Sequence, residues 1–170
     1  MAIAKTISYC SAGTVEFLVS GDEFFFMEMN TRLQVEHPVT ELTHDIDLVE
    51  QMIRVAGGEK LDLAQKDVRI KGWAVEARLY AEDPYRGFLP SIGRLQRYVE
   101  PKEGPMGPGR LRIDSGVREG DEISLFYDPM IAKVIGYGKT REIAIDTLSA
   151  ALDRLHVEGL QSNAPFLSAV

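Results

Sequence analysis

Residues 26–38 read Phe-Met-Glu-Met-Asn-Thr-Arg-Leu-Gln-Val-Glu-His-Pro. Their polar side chains alternate with other residues at intervals of two: Glu28, Asn30, Arg32, Gln34 and Glu36. In an extended segment, residues two apart point to the same side. A solvated strand face is one interpretation, although such a face usually carries Lys, Thr and Ser with scattered charges. The order acid, amide, base, amide, acid contains no repeat, so we predict an oxygen-rich polar site here.

The residues before this stretch predict a β-hairpin. Residues 14–19 and 24–30 have the composition of strands, and residues 20–23 have that of a turn. A three-residue loop would place Glu16 directly opposite Glu28, whereas a two-residue loop would place Glu16 opposite Met27. The register therefore decides whether Glu16 joins the predicted site.

The rest of the chain predicts an α+β order. A helix at 2–12 is expected to end at Gly13, and His37-Pro38 is expected to force a turn or an extended exit. Asp45 or Asp47 can cap the next helix, whose predicted buried stripe includes Val49 and Ile53. Later segments predict strands at 73–79, 93–99, 109–115 and 130–136, a helix at 140–156 and a short helix opened by Asn163. We place a domain boundary between residues 57 and 70.

Composition narrows the possible functions. The 170 residues are 45% hydrophobic and 26% charged, as in an ordinary globular protein. The net charge of −7 argues against binding to nucleic acid or to anionic membranes. The single cysteine, Cys10, excludes an internal disulfide and a cysteine-based zinc site. No apolar run approaches the length that spans a bilayer.

The polar residues of the hairpin suit a hard metal ion. Two carboxylates and an amide oxygen, from Glu16, Glu28 and Asn30, match the ligands that Mg²⁺ or Mn²⁺ prefers, although Glu16 alone could be a surface residue. Arg32 offers a planar fork for an oxyanion such as bicarbonate or phosphate. Glu36 could be a general base, or it could form a plain ion pair with Arg32.

Two other polar residues admit structural interpretations. His37 is more often a structural histidine than a catalytic one, and Arg78, on a strand with Glu76 and Tyr80, would by itself be an ordinary surface arginine. The 170 residues contain no glycine-rich phosphate loop of either common pattern. Metal ligands for a nucleotide are therefore present without a phosphate cradle.

Residues 26–41 closely resemble the hallmark sequence of biotin carboxylases, the ATP-grasp subunits or domains of acyl-CoA carboxylases and pyruvate carboxylase. Carbamoyl-phosphate synthetases share the Glu-x-Asn-x-Arg core but lack the Gln-Val-Glu-His-Pro extension at 34–38. Other stretches resemble further motifs of the family in order, and the wording at 72–76 is most similar to the α subunits of propionyl-CoA carboxylases. The stretches are 13–17, 72–78, 81–84, 88–91, 114–116 and 127–130.

The resemblance implies a fold and a role for each candidate residue. Residues 1–62 would be the end of an ATP-grasp domain, and residues 63–170 the antiparallel β domain that follows it. Three sets of residues carry the implied roles. Glu16, Glu28 and Asn30 would ligate the magnesium or manganese ions that hold ATP; Leu18 and Met27 would line the adenine pocket; Arg32, Gln34, Val35 and Glu36 would bind bicarbonate, with Glu36 as the base. Arg78 would stabilise the biotin enolate.

The resemblance also implies partners. Biotin would arrive on a carrier domain, a carboxyltransferase β subunit would take the product, and the C-terminal domain would form a homo-oligomer in a bacterial cytoplasm or a mitochondrial matrix. The nucleotide-like N-terminal domain and glycine-rich lid of the family are not among these residues. We therefore expect a C-terminal fragment that does not hydrolyse ATP alone. A non-catalytic assembly module and another ATP-grasp ligase are the alternatives.

Overall fold

The computed structural model describes residues 2–170. They form two units, Met1–Ile70 and Lys71–Val170. Both units combine helices with antiparallel strands, which confirms the α+β prediction. The boundary after residue 62 that the family resemblance implies stays a prediction.

The first unit is a β-hairpin with three helices. Its elements in chain order are α1 (Ala2–Thr6), β1 (Thr14–Ser20), β2 (Glu23–Asn30), α2 (His37–His44) and α3 (Leu48–Ala56).

The hairpin places Glu16 opposite Glu28, as a three-residue loop would have done. The loop is nevertheless shorter than that, because Ser20 already pairs with Glu23. Gly21, the first loop residue, has a φ of 60°, the sign that a type II′ turn requires at this position. A β-bulge restores the carboxylate pairing, since the register shifts between Glu16 and Phe17 and leaves Met27 as the extra residue.

The helices of the first unit correct two expectations. The helix predicted for residues 2–12 ends at Thr6, and Ser8 follows with a φ of 51°. The turn expected at His37-Pro38 is instead the start of α2, because proline fits the first helical turn, where its missing N–H would have no partner. Sequence reasoning treated Pro38 as a helix breaker when it is a helix starter.

The cap of α3 is confirmed, but its buried stripe is not. Asp47 accepts a hydrogen bond from the Glu50 N–H at 2.8 Å. None of the residues of α3 is buried, and Ile53 is 68% exposed. The apolar periodicity therefore predicts the helix correctly, but the prediction that its apolar stripe is buried is wrong.

The second unit is built around an antiparallel sheet with the strand order β3-β11-β9-β8. Shorter strand pairs, β4 with β5, β6 with β10 and β7 with β12, surround it. A 3₁₀ turn spans Pro84–Arg86. The strands and helices are β3 (Trp73–Tyr80), β4 (Glu82–Asp83), β5 (Leu89–Pro90), β6 (Gly93–Arg94), β7 (Arg97–Val99), β8 (Gly104–Met106), β9 (Gly109–Ser115), β10 (Glu122–Ile123), β11 (Met130–Gly138), α4 (Arg141–Leu152), β12 (His156–Glu158) and α5 (Ala164–Ala169).

The helix α4 packs on one face of this sheet and closes the core. Thr140 caps the helix, as predicted, by accepting from the Ile143 N–H at 3.3 Å. A Cβ on Gly136 of β11 would meet backbone atoms of Ala144 and Leu148, so a residue without a side chain lets helix and sheet touch. The strand predicted for residues 93–99 is two strands with different partners.

Within residues 2–170, no helix combines the length and the apolar character that crossing a membrane requires.

Candidate functional site

The base of the hairpin brings two carboxylates and an amide together. Because the bulge keeps Glu16 level with Glu28, and Asn30 follows two positions later on β2, the three side chains share one face. Asn30 Nδ2 lies 2.7 Å from Glu16 Oε1 and 3.2 Å from Glu28 Oε1, and donates to both oxygens. The amide N–H groups therefore sit where the two acidic oxygens converge.

The predicted oxyanion residues extend this network past the end of β2. Arg32 Nη2 donates to Asn30 Oδ1 at 3.3 Å, and Arg32 Nη1 donates to the Leu33 carbonyl oxygen at 3.2 Å. Gln34 Nε2 lies 3.5 Å from Glu16 Oε1. Hydrogen bonds thus connect both halves of the hallmark sequence, and the exposed guanidinium of Arg32 faces solvent beside them.

The segment that carries Val35 and Glu36 is held by the start of α2. Glu36 is the N-cap residue, and its exposed side chain makes no cap hydrogen bond. His37 Nδ1 lies 2.8 Å from the Gln34 carbonyl oxygen, a contact in which the ring nitrogen is the donor. These contacts support the structural interpretation of His37.

Glu41 is a buried acid for which the sequence suggested no role. It accepts from the Leu48 N–H at 2.7 Å, and its other oxygen lies 4.0 Å from His37 Nε2. Glu41 thereby ties the first turn of α2 to the first turn of α3. An acid four residues after a histidine on a helix is the signal that could have found it.

The apolar residues predicted to line an adenine pocket lie on β1 and at the bulge of β2. Leu18 follows Glu16 by two positions on β1, so both side chains share one face of the hairpin. Met27 is the bulged residue itself. Both side chains are more than half exposed.

Arg78 lies on β3 of the second unit, between two polar residues of the same strand. Its Nε is 3.4 Å from Glu76 Oε1, and the Glu76 side chain is buried. Burial lowers the pKa of the Arg78 guanidinium, but hydrogen bonds to Tyr80 and Glu76 outweigh it, so the net pKa is raised. Arg78 is therefore a fixed cation over the whole physiological range.

The donor set of the hairpin fits a hard divalent ion. Carboxylate and amide oxygens suit Mg²⁺ or Mn²⁺, which complete their shells with water and substrate phosphates. Across residues 2–170, no group of three or more His, Cys, Asp or Glu side chains could hold a metal ion. The hairpin set contains only two acids, because its third member is an amide. Two carboxylates are enough for magnesium, which is usually bound by one or two of them together with water and substrate phosphates.

Two family models cover the chain. Residues 76–170 match the biotin carboxylase C-terminal domain, and residues 1–64 match the ATP-binding domain of the carbamoyl-phosphate synthase L chain. With more than half of its length in the first of these matches, the chain belongs to the biotin carboxylase family.

Relatives extend along the full chain. The propionyl-CoA carboxylase alpha chain of Ruegeria pomeroyi is 58% identical over 100% of this chain, which spans 27% of that relative. The human mitochondrial propionyl-CoA carboxylase alpha chain is 54% identical over 100% of this chain and 23% of the relative. The chain therefore spans about a quarter of the length of these curated relatives.

Solved structures agree with the fold. The biotin carboxylase domain of Hydrogenobacter thermophilus 2-oxoglutarate carboxylase has a TM-score of 0.88 and 43% identity, over 97% of this chain and 36% of that one. That structure is a dimer in complex with MgADP, ADP and bicarbonate. The biotin carboxylase subunit of pyruvate carboxylase has a TM-score of 0.87 and 40% sequence identity, over 97% of this chain and 36% of that one.

Proposed function

We propose that this chain carries the metal-binding and bicarbonate-binding residues of a biotin carboxylase, an ATP-dependent ligase that carboxylates biotin on a carrier domain. The supporting observation is the hydrogen-bonded network from Glu16 through Asn30 and Arg32, with Gln34 at its far side. A surface strand with unrelated charges would not order acids, amides and a guanidinium around one point.

In this proposal, Glu16, Glu28 and Asn30 hold one or two Mg²⁺ or Mn²⁺ ions together with ATP, and Leu18 and Met27 contact the adenine. The bound ion neutralises charge that develops during phosphoryl transfer. In the described structure, the Asn30 NH₂ group lies between the two carboxylates. To ligate the ion, the Asn30 side chain would turn so that its Oδ1, which accepts from Arg32, joins the oxygens of Glu16 and Glu28.

Arg32 and Gln34 would bind bicarbonate beside Val35, with Glu36 as the general base. Bicarbonate attacks the γ-phosphorus of ATP, which gives carboxyphosphate and ADP, and carboxyphosphate then yields carbon dioxide and phosphate. Arg32 supplies a positively charged planar group that can bind the bicarbonate oxygens. Glu36 lies two residues after Gln34, at the exposed start of α2, where its carboxylate can accept the bicarbonate proton.

Arg78 would act on the other substrate. Biotin would pass the proton on N1 to the phosphate released from carboxyphosphate and place negative charge on its ureido oxygen before N1 captures carbon dioxide. A cation that Glu76 already orients stabilises this charge with little reorganisation. Since its pKa is raised, Arg78 contributes charge and not a proton.

The proposed partners follow from the family. They are a biotin carrier domain, a carboxyltransferase β subunit and a second copy of the biotin carboxylase, in a bacterial cytoplasm or a mitochondrial matrix. Propionyl-CoA is the acyl substrate that the named relatives favour. On their own, the 170 residues are not expected to release phosphate from ATP, because they lack a glycine-rich cradle.

A chimera tests the proposal. These 170 residues replace the matching segment of the Ruegeria pomeroyi propionyl-CoA carboxylase alpha chain, and transfer of labelled bicarbonate carbon to biotin is measured with MgATP. We expect an active chimera in which Glu36→Gln loses at least about a hundred-fold in rate. Glu59→Gln, which changes an exposed acid of the same unit, is the matched control. A chimera that assembles with its partners but stays inactive would support the assembly module instead.

Arg78→Lys in the same chimera tests the role of the guanidinium. Lysine keeps the charge but loses the planar fork, so biotin carboxylation should fall by about a hundred-fold, the usual loss for one oxyanion donor. The affinity for MgATP should not change, because Glu16, Glu28 and Asn30 are untouched. An unchanged rate in the lysine variant, or ATP affinity that falls with the rate, would make Arg78 a structural residue.

A further inference from the structure

Asn163 occupies the N-cap position of α5, where an asparagine side chain ordinarily accepts from the first helical turn. Its side chain makes no cap hydrogen bond. The amide instead binds the backbone of β3: Nδ2 donates to the Arg78 carbonyl oxygen at 3.1 Å, and Oδ1 accepts from the Tyr80 N–H at 2.8 Å. The Asn163 N–H donates to the Tyr80 carbonyl oxygen at 3.1 Å. Three hydrogen bonds thus join Asn163 to the β3 backbone at Arg78 and at Tyr80.

These hydrogen bonds lie at the free edge of the sheet, where no other strand of the described residues holds β3. β3 is an edge strand, paired with β11 along one side only. Asn163 binds the free edge of β3 as a neighbouring strand would. Its Nδ2 donates to the Arg78 carbonyl oxygen, and its Oδ1 and N–H pair with the N–H and the carbonyl oxygen of Tyr80. It is 6% exposed, so water competes little for these bonds.

The same bonds bear on the guanidinium. Glu76 and Tyr80, which hold the Arg78 side chain, are residues of β3 itself, so they move together with that strand. Contacts from outside the strand fix where it places them: β11 pairs with one side of β3, and Asn163 holds the other side. Asn163 comes from 85 residues further along the chain and grips β3 at Arg78 and Tyr80.

We propose that Asn163 is a positioning residue for Arg78: it sets the backbone from which the guanidinium reaches the ureido oxygen of biotin. This inference rests on the proposed function of Arg78. A change that frees the backbone lowers the carboxylation rate while Arg78 itself is intact. Because misplacement by about 1 Å costs up to about a hundred-fold, we expect a loss of about ten-fold or more.

The test uses the active chimera with two variants. Asn163→Ala removes both side-chain bonds, whereas Asn163→Asp keeps an acceptor for the Tyr80 N–H and loses the donor to Arg78. We expect the rate of biotin carboxylation to fall by about ten-fold or more in both variants, because the aspartate turns the donor toward the Arg78 carbonyl oxygen into a second acceptor. The affinity for MgATP should stay constant in both. Amide hydrogen exchange at Tyr80 should rise in the alanine variant and less in the aspartate variant.

Tyr98→Phe is the matched control for general destabilisation. It also removes two side-chain hydrogen bonds in the second unit: the Tyr98 hydroxyl donates to Glu100 at 2.7 Å and lies 3.2 Å from the Ser115 hydroxyl. The control should lose thermal stability without a comparable loss of rate. Equal rate losses at equal loss of stability would overturn the inference, as would faster exchange at Tyr80 with a normal rate.

Arg78→Ala separates this inference from the proposed function. If Arg78→Ala leaves the rate intact, the proposed role of Arg78 fails and the inference fails with it. If Arg78→Ala abolishes carboxylation while both Asn163 variants remain normal, only the inference fails.

Discussion

Strands β2 and β11 are of similar length but differ in burial. β2 contains three phenylalanines and two methionines, yet none of its residues is buried. β11 has buried residues at seven of its nine positions, with β3 and β9 on its two sides and α4 on one face. Burial therefore follows the number of neighbours that a strand has, and apolar composition alone does not predict it.

The comparison also separates two ways of building a site. In the first unit, side-chain hydrogen bonds within the hairpin and the following segment hold the acids, amides and guanidinium together. In the second unit, a packed sheet and a buried asparagine hold Arg78. Stability should consequently be distributed unequally between the two units.

The largest predicted difference comes from removing one large apolar side chain from each unit. Leu79 of β3 is 0% exposed, so Leu79→Ala should cost about 3 kcal/mol through lost burial and a cavity. Phe25 of β2 is 53% exposed, so Phe25→Ala should cost about 0.5 kcal/mol. Native-state hydrogen exchange along the urea transition measures both. Equal costs would show that the hairpin is as well packed as the sheet.

Two glycines provide the next test. Gly136→Ala would push a Cβ against backbone of α4, including the Leu148 nitrogen at 2.7 Å, and should cost about 2 kcal/mol. Gly21→Ala meets no atom within 4 Å, so its cost of about 1 kcal/mol arises from the positive φ alone. Thermal unfolding of the two variants ranks them. A Gly21 variant that is the less stable of the two would contradict this order.

The smallest predicted effect is a pH dependence in the second unit. Burial raises the pKa of Asp114, but hydrogen bonds from Arg112 at 2.7 and 3.0 Å and the charge of Lys133 outweigh it, so the net pKa is lowered. The carboxylate should stabilise the fold by about 1 kcal/mol above its unfolded pKa of about 3.9, and this contribution is lost as the pH falls through the lower folded value.

Urea unfolding at pH 7 and at pH 3 checks this effect. Asp114→Asn should lower stability at pH 7 and narrow the difference between the two pH values. Asp146→Asn, on the exposed side of α4, should leave the pH dependence unchanged. An identical pH dependence in the wild type and in Asp114→Asn would remove Asp114 from the explanation.

Much of the site's framework could be predicted because its determinants are local. The alternation of side chains predicts the two strands of the hairpin, and the turn residues between them predict its loop. Asp47 and Thr140 are predicted helix caps, and both are confirmed. The pairing of Glu16 with Glu28 was expected as one of two registers. Each of these depends on residues close together in the sequence.

Other features could not be predicted, since they depend on distant contacts or on one irregular residue. The side chain of Asn163 leaves its helix for a strand 85 residues away, and no pattern near Asn163 indicates this. The exposure of Ile53 depends on which elements surround α3 and not on its periodicity. The two-residue loop was one of the alternatives, but the bulge that returns Glu28 to a place opposite Glu16 depends on one irregular residue.

That bulge has a consequence for how patterns in this hairpin should be compared among related sequences. Strict alternation along β2 would assign Phe24, Phe26 and Glu28 to one face. Instead, Phe24 and Phe26 contact Phe17, edge to face, on the face opposite to the acids. The strand therefore contains two phases of alternation that meet at Met27. Deleting Met27 would keep Glu16 paired with Glu28 and leave Phe24 and Phe26 on the face opposite to the acids. Keeping Met27 in a regular ladder, with a loop one residue longer, would instead place Phe24 and Phe26 on the acidic face.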